Sequence, residues 1–229
     1  MHGGPEKVTS VRFVAFDFDG TLVDSHATIV AAMMEAFEGC GRPAPAAKAV
    51  RDIIGLPLEP AIARLLPAGA EDPVEISAIG GHYRTAYKAK TSRPDHIDPL
   101  FPGVSAILDT LDAAGTSCGI VTSKSRRGLT RALALHALEA RFVTLQTADD
   151  GPGKPHPFLL ERAMAEAGAL PATTLMIGDT TYDIETARSA GADAIGVAWG
   201  AHEPEALRAA GARTVLEHIG ELPAVLGLT

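Results

Sequence analysis

Asp17 and Asp19 close the apolar run VRFVAF, and a Gly-Thr turn follows them in the stretch DFDGTLVDS. Other short apolar runs end in a similar way. GIVTSKS closes on Thr122, Ser123 and Lys124, and LMIGDTTYD on Asp179, with Asp183 four residues on. The loop after LQT carries Asp149 and Asp150, then Lys154 in GPGKPHP. An aspartate beside a glycine is by itself an ordinary turn residue or helix cap. In open α/β sheets, however, ligands bind outside the carboxyl ends of the strands. The carboxylates of Asp17, Asp19, Asp179 and Asp183, the hydroxyls of Thr122 and Ser123 and the ammonium of Lys154 therefore fall on one edge of a sheet.

Two carboxylates about 4 Å apart repel by about 4 kcal/mol at an effective dielectric of about 20. Such a cluster needs a divalent cation, or some of its groups must be protonated. An all-oxygen ligand set with no Cys or His favours a hard ion, Mg2+. Mg2+ keeps waters and shares its shell with substrate phosphate, which brings in Lys154 and the hydroxyls as partners of phosphate oxygens. An aspartate that attacks phosphorus forms an acyl-phosphate. A second carboxyl group can protonate the leaving oxygen and later activate water.

The elements that must position these groups are legible in outline. A first strand is read over residues 12–16. Ile29, Met33 and Phe37 recur every fourth residue on one helical face, and Gly39 is placed to stop that helix. AVRDIIG, LEPAIARLLP and DPVEISAIGGHYRTAYKAK read as further helices, the last with a weak point at Gly80-Gly81. Nothing from Asp24 to Arg93 reads as a strand, and TSRPDHIDPLFPG reads as a linker. Beyond Gly103 the strands SCGIVTS, FVTLQT, TTLMIGD and DAIGVAW alternate with helices, and RTVL and ELPAVLGL close the chain. That alternation implies βαβ units on a parallel sheet. An α/β domain of residues 1–23 and 97–229 is thus expected, interrupted by an all-helical domain of residues 24–96.

Composition narrows the partners. The chain has 229 residues, 46% hydrophobic and 21% charged, ordinary for a globular protein with a sizeable core. A net charge of −8 disfavours a nucleic-acid partner, and means that an anion site needs local cations. Cys40 and Cys118 give no disulfide framework and fit a reducing cytosol, so a cytoplasmic location is expected. MHGGPEKVTS has no apolar core of a signal peptide, and no apolar run is long enough for a transmembrane helix. The expected partner is a small phosphorylated molecule rather than a membrane.

Taken together, these motifs resemble the haloacid dehalogenase superfamily, in its phosphatase branch with a helical cap after the first strand. DFDGTLVDS is similar to that family's first motif, VTSK to the second, GKPHP to the third and GDTTYDIETARSAG to the fourth. The resemblance covers nearly the whole chain. It implies a doubly wound, Rossmann-like parallel sheet with the Asp17 strand between the Thr122 and Asp179 strands. By the same resemblance Asp17 is the nucleophile that becomes phosphorylated. Asp19 is general acid and base, and its backbone carbonyl helps to hold Mg2+. Thr122 bonds a phosphate oxygen, and Lys154 stabilises the nucleophile and the transferring phosphoryl group. Asp179 ligates Mg2+, and Asp183 supports that site through a bound water. Asp19 is absent from dehalogenases and phosphonate hydrolases of this kind, so its presence implies phosphate chemistry. GLPLEPAIARLL and LFPGV are similar to the phosphoglycolate phosphatases. The same cap type serves pyrophosphatases, sugar-phosphate phosphatases and β-phosphoglucomutase.

The expected protein is therefore a Mg2+-dependent phosphatase of a small phosphomonoester, a monomer or homodimer, with a phosphomutase or pyrophosphatase as the alternative. A signalling receiver also uses an aspartate, a Thr or Ser and a Lys on a doubly wound sheet. Receivers are small and uncapped, and the helical insertion argues against one. Ser123 reads equally as a phosphate contact or a helix cap. Asp149, Asp150 and His156 read as loop residues, Asp24 and Ser25 as a hinge or cap, Arg64 and Arg84 as solvated helix faces, and Cys118 as a buried strand residue. The scattered histidines show no zinc-binding spacing.

Overall fold

The computed structural model describes residues 11–93 and 95–228. The stretch MHGGPEKVTS, expected to carry no signal peptide, lies outside them. Among the described residues no helix is long and apolar enough to cross a membrane.

Strand β1 (Phe13–Phe16) reads FVAF and is buried along its whole length. A parallel strand covered on both faces has no solvent side, so it is apolar throughout. Its alternation still sorts its residues: Val14 and Phe16 enter one apolar layer, Phe13 and Ala15 the other. β1 pairs in parallel with β2 (Ser117–Val121) on one side and with β4 (Thr174–Gly178) on the other. β3 (Thr144–Gln146) lies beyond β2; β5 (Asp193–Val197) and β6 (Val215–Leu216) lie beyond β4. The sheet order is β3-β2-β1-β4-β5-β6, and every pair is parallel.

Between β1 and β2 the chain leaves the sheet and forms α1 (His26–Gly39), α2 (Ala47–Arg51), α3 (Leu58–Leu65) and α4 (Pro73–Thr91). These helices enclose an apolar core of their own around Met33, Phe37, Ile62 and Ile79. The two crossings run side by side: Asp24 N–H donates to the Pro99 carbonyl at 2.9 Å, and Phe101 N–H to the Leu22 carbonyl at 3.0 Å. α1 ends at Gly39, where the glycine stop was expected. α4 runs unbroken through Gly80 and Gly81. Gly80 is buried against Leu58 and Ile62 of α3, and that packing offsets the cost of about 1 kcal/mol of a helical glycine. One expectation is corrected. AVRDIIG is helical only to Arg51, after which Gly55 takes a φ of +95° and the chain turns.

Beyond the insertion, α5 (Val104–Ala113), α6 (Arg126–Leu135) and, near the end of the chain, α10 (Leu222–Leu226) cover the Val14 face. α7 (Phe158–Ala167), α8 (Thr181–Ser189) and α9 (Pro204–Ala210) cover the Phe13 face. The fold is thus a doubly wound α/β sheet, as the strand–helix alternation and the motif resemblance implied.

Candidate active site

The strand order reverses where β1 meets β4, and in such sheets a crevice opens there beyond the carboxyl ends. Asp17 is the first residue past β1, and its N–H donates to the Ile177 carbonyl at 2.9 Å. Asp179 is the first past β4, and Thr122 the first past β2. The pairing of the strands therefore brings three distant positions side by side. All three are buried, as are Asp183 and Lys154.

Carboxylate oxygens of Asp17, Asp179 and Asp183 lie within 4.8 Å of one another. Lys154 enters from the loop after β3. Its ammonium is 3.0 Å from Asp17 Oδ1 and donates to Asp183 Oδ1 at 2.6 Å. The other Asp183 oxygen accepts from Thr180, from N–H at 3.0 Å and Oγ1 at 2.7 Å, which closes the capping box of α8. Asp179 accepts from Thr21 Oγ1 at 2.9 Å and from Ala201 N–H at 2.8 Å. His26 Nε2 lies 3.5 Å from Asp179 Oδ2, an ion-pair distance without hydrogen-bond geometry. Glycines make room for this packing: a Cβ on Gly178 would overlap Asp183, and one on Gly200 would overlap Asp179.

Three buried carboxylates thus meet one lysine ammonium. Burial, which Lys154 opposes and Asp183 and Asp179 reinforce, pushes the Asp17 carboxyl up to about 8. Burial also works against charge on Lys154, but Asp17 and Asp183 outweigh it and hold the ammonium's pKa above its ordinary value. Asp179 goes the other way. Burial would raise it, yet His26, the Ala201 N–H and Thr21 together carry it below the usual carboxylate range. Asp17 Oδ1 has no hydrogen-bond partner of good geometry. An oxygen-only donor set and an excess of negative charge fit a hard divalent cation.

The Asp19 carboxylate stands outside that cluster. Its Oδ1 accepts from Ser25 Oγ at 2.6 Å and from Lys124 Nζ at 2.8 Å, and its Oδ2 lies 3.1 Å from the same ammonium. The expectation gave the backbone carbonyl of Asp19, not its carboxylate, to the ion, and the carboxylate is engaged here by Ser25 and Lys124. Thr122 Oγ1 accepts the Lys124 N–H at 3.2 Å. The Ser123 hydroxyl is not the cap of α6. It donates to the Gly55 carbonyl at 2.6 Å, and Ser125 caps α6 instead. Ser25 precedes α1 but makes no capping bond; its hydroxyl goes to Asp19.

Several contributors had no signal strong enough to be found in sequence. Thr21 and His26 lie inside or beside DFDGTLVDS, yet no spacing marks them as partners of Asp179. Lys124 directly follows Thr122 and Ser123 at a strand end, and that position was its only clue. Arg64, expected on a solvated face, donates to Tyr182 Oη at 2.8 Å. Tyr182 Oη and His202 Nε2 each lie 3.2 Å from the Asp52 carbonyl, so the turn after α2 is clasped to the motif of Asp179. Arg84 pairs with Glu59, and Asp150 with Arg126, away from the carboxylate cluster. That turn and α1 roof a cavity of about 90 Å³ over Asp17, Asp19 and Thr122, walled by Ile29, Met33, Ile53, Ile54, Leu56 and Tyr83.

The comparisons agree with this geometry. The family described as haloacid dehalogenase-like hydrolase matches residues 14–197. The chain is 36% identical to the protein named "Probable phosphatase IndB" of Dickeya dadantii, over 91% of this chain and 90% of that one. It is 32% identical to a phosphoglycolate phosphatase of Yersinia pestis, over 97% and 96% of the two chains. A hydrolase from Pseudomonas syringae superposes with a TM-score of 0.83 at 28% identity, covering 95% of this chain and 98% of that one. With its motif residues gathered at the end of β1 and its sequence matched over most of its length, the chain belongs to the haloacid dehalogenase-like hydrolases.

Proposed function

We propose that this protein is a Mg2+-dependent phosphatase of a small phosphomonoester, working through a phospho-aspartate at Asp17. The observation that carries the reading is the buried Asp17 carboxylate, held between Lys154 and the carboxylates of Asp179 and Asp183. In this reading residues 24–96 form a cap over a core of residues 1–23 and 97–229. Two free cysteines suit a cytoplasmic enzyme.

The carboxylates of Asp17 and Asp179 and the backbone carbonyl of Asp19 would hold the ion, with Asp183 supporting them. When bound, Mg2+ supplies the positive charge that lets an anionic carboxylate approach an anionic phosphoryl group. Asp17 attacks phosphorus, and the bond to the leaving oxygen breaks with its electron pair on that oxygen. The Asp19 carboxyl gives this oxygen its proton, then takes one from the water that attacks the acyl-phosphate. Lys154 stabilises negative charge on Asp17 and on the phosphoryl oxygens, and Thr122 donates to one of them. The inserted helices exclude bulk water from the first step.

Phosphoglycolate is the first substrate to try, since a relative carries that name. Rapid quenching should trap an acid-stable, hydroxylamine-labile phosphoryl group on the wild type and none on Asp17→Asn. In 18O-labelled water the released phosphate should carry label. Phosphoryl return to a sugar without label would establish the mutase alternative instead.

A further inference from the structure

Lys124 has no part in the phosphatase reading above, yet it is one of the most enclosed cations of the site. Its ammonium donates to both oxygens of Asp19, at 2.8 and 3.1 Å, and to Tyr87 Oη at 2.7 Å. It also stands over two rings, 4.9 Å from the centre of Tyr87 and 5.7 Å from that of Phe18. Tyr87 belongs to α4 in the insertion, Lys124 follows β2 in the core, and Asp19 follows β1. Burial pushes the Tyr87 hydroxyl up to about 12, so it stays a neutral acceptor facing the ammonium. Tyr83 stacks on Tyr87 with ring centres 5.7 Å apart.

A single ammonium therefore joins the carboxylate of Asp19 to the inserted helices. The geometry points to Lys124 and Tyr87 as positioning residues: together they aim the Asp19 carboxyl at the leaving oxygen, and they tie that aim to the seating of α4 on the core. The inference rests on the reading of Asp19 as proton donor. Ser25 holds Asp19 Oδ1 from the start of the insertion, so removing the Lys124 contacts leaves the carboxyl with one fixed point rather than two. A proton donor that is mis-aimed matters most where the leaving oxygen is a strong base. There the proton must arrive as the P–O bond breaks and the electron pair settles on oxygen. An aryl oxide such as p-nitrophenolate leaves without help.

The test compares a simple alkyl phosphomonoester with p-nitrophenyl phosphate, both with saturating Mg2+. Wild type, Tyr87→Phe, Lys124→Met and Asp19→Asn are assayed, each checked for folding by circular dichroism and melting temperature. The ratio of alkyl to aryl kcat/KM, which ends at departure of the alcohol and leaves out the shared hydrolysis of the acyl-phosphate, should fall about tenfold or more in Lys124→Met, and about threefold in Tyr87→Phe, which keeps the ring. Placed on Asp19→Asn, neither change should alter the ratio further. If kcat/KM falls equally for both esters, Lys124 and Tyr87 are structural or bind the phosphoryl group, and the inference is overturned. Should Lys124→Met fail to fold, Tyr87→Phe decides alone by the same ratio. A wild type inert on both esters overturns the phosphatase reading itself, and this inference with it.

Discussion

The Lys154 ammonium stands 3.0 Å from the Asp17 carboxylate, and both side chains are closed off from solvent. A charge so buried is tolerable only if it is paired, and the same ammonium also serves Asp183 at 2.6 Å. Lys154→Met would leave these carboxylates facing one another without a counter-charge. It should cost about 3–5 kcal/mol of stability and at least about a hundredfold in kcat. Added Mg2+ should restore part of the melting temperature without restoring turnover. Melting curves with and without the ion, beside steady-state rates, check both points.

Asp17→Asn keeps the shape of the side chain and removes the anion proposed to attack phosphorus. Hydrolysis should fall by at least about a thousandfold while the circular dichroism spectrum is retained. More than a few per cent of residual turnover would exclude Asp17 as nucleophile.

Metal binding should depend on pH with a definite sign. Burial, the largest cause, pushes Asp17 up to about 8 in the ion-free protein. Below that pH the cation must displace a proton to reach the carboxylate. Apparent Mg2+ affinity should therefore weaken by up to about tenfold per unit as pH falls below about 8, and level off above it. Calorimetry in buffers of different ionisation enthalpy would count the released proton. The same raised value means that Asp17 favours the ion-free fold at low pH, and that this contribution is lost as pH rises from the ordinary carboxylate range through about 8. A chelator should accordingly lower the melting temperature more at pH 8 than at pH 5, and abolish activity until Mg2+ is returned.

Gly200 touches Asp179 so closely that a Cβ there would overlap the aspartate side chain. Gly200→Ala should shift Asp179, cost about 1–3 kcal/mol and weaken Mg2+ affinity. Calorimetric titration of the folded variant tests this. Wild-type affinity would mean that the loop relaxes without moving the carboxylate.

The Tyr182 hydroxyl accepts from Arg64 and donates to the Asp52 carbonyl, joining the helical insertion to the core. Tyr182→Phe should raise KM several-fold with a smaller change in kcat, because about 1 kcal/mol of closure is lost and Asp17 is untouched. A loss confined to kcat would place Tyr182 in the chemistry instead.

The primary sequence determined the α/β class, the helical insertion after β1 and the set Asp17, Asp179, Asp183, Thr122 and Lys154, because apolar runs ending in polar groups are local patterns. It also marked Asp19, as the second acid of DFDGTLVDS. What it left open was direction. Whether Asp19 turns toward the carboxylate cluster or toward Lys124, and whether Ser123 faces phosphate or Gly55, depends on residues far away in the chain that the strand pairing brings together. The early end of α2 at Arg51 has the same origin. AVRDIIG has helical periodicity, but its Asp52 carbonyl is engaged by Tyr182 and His202, more than a hundred residues on. Local spacing thus fixes which side chains reach the sheet edge, and tertiary contacts fix which way each one faces.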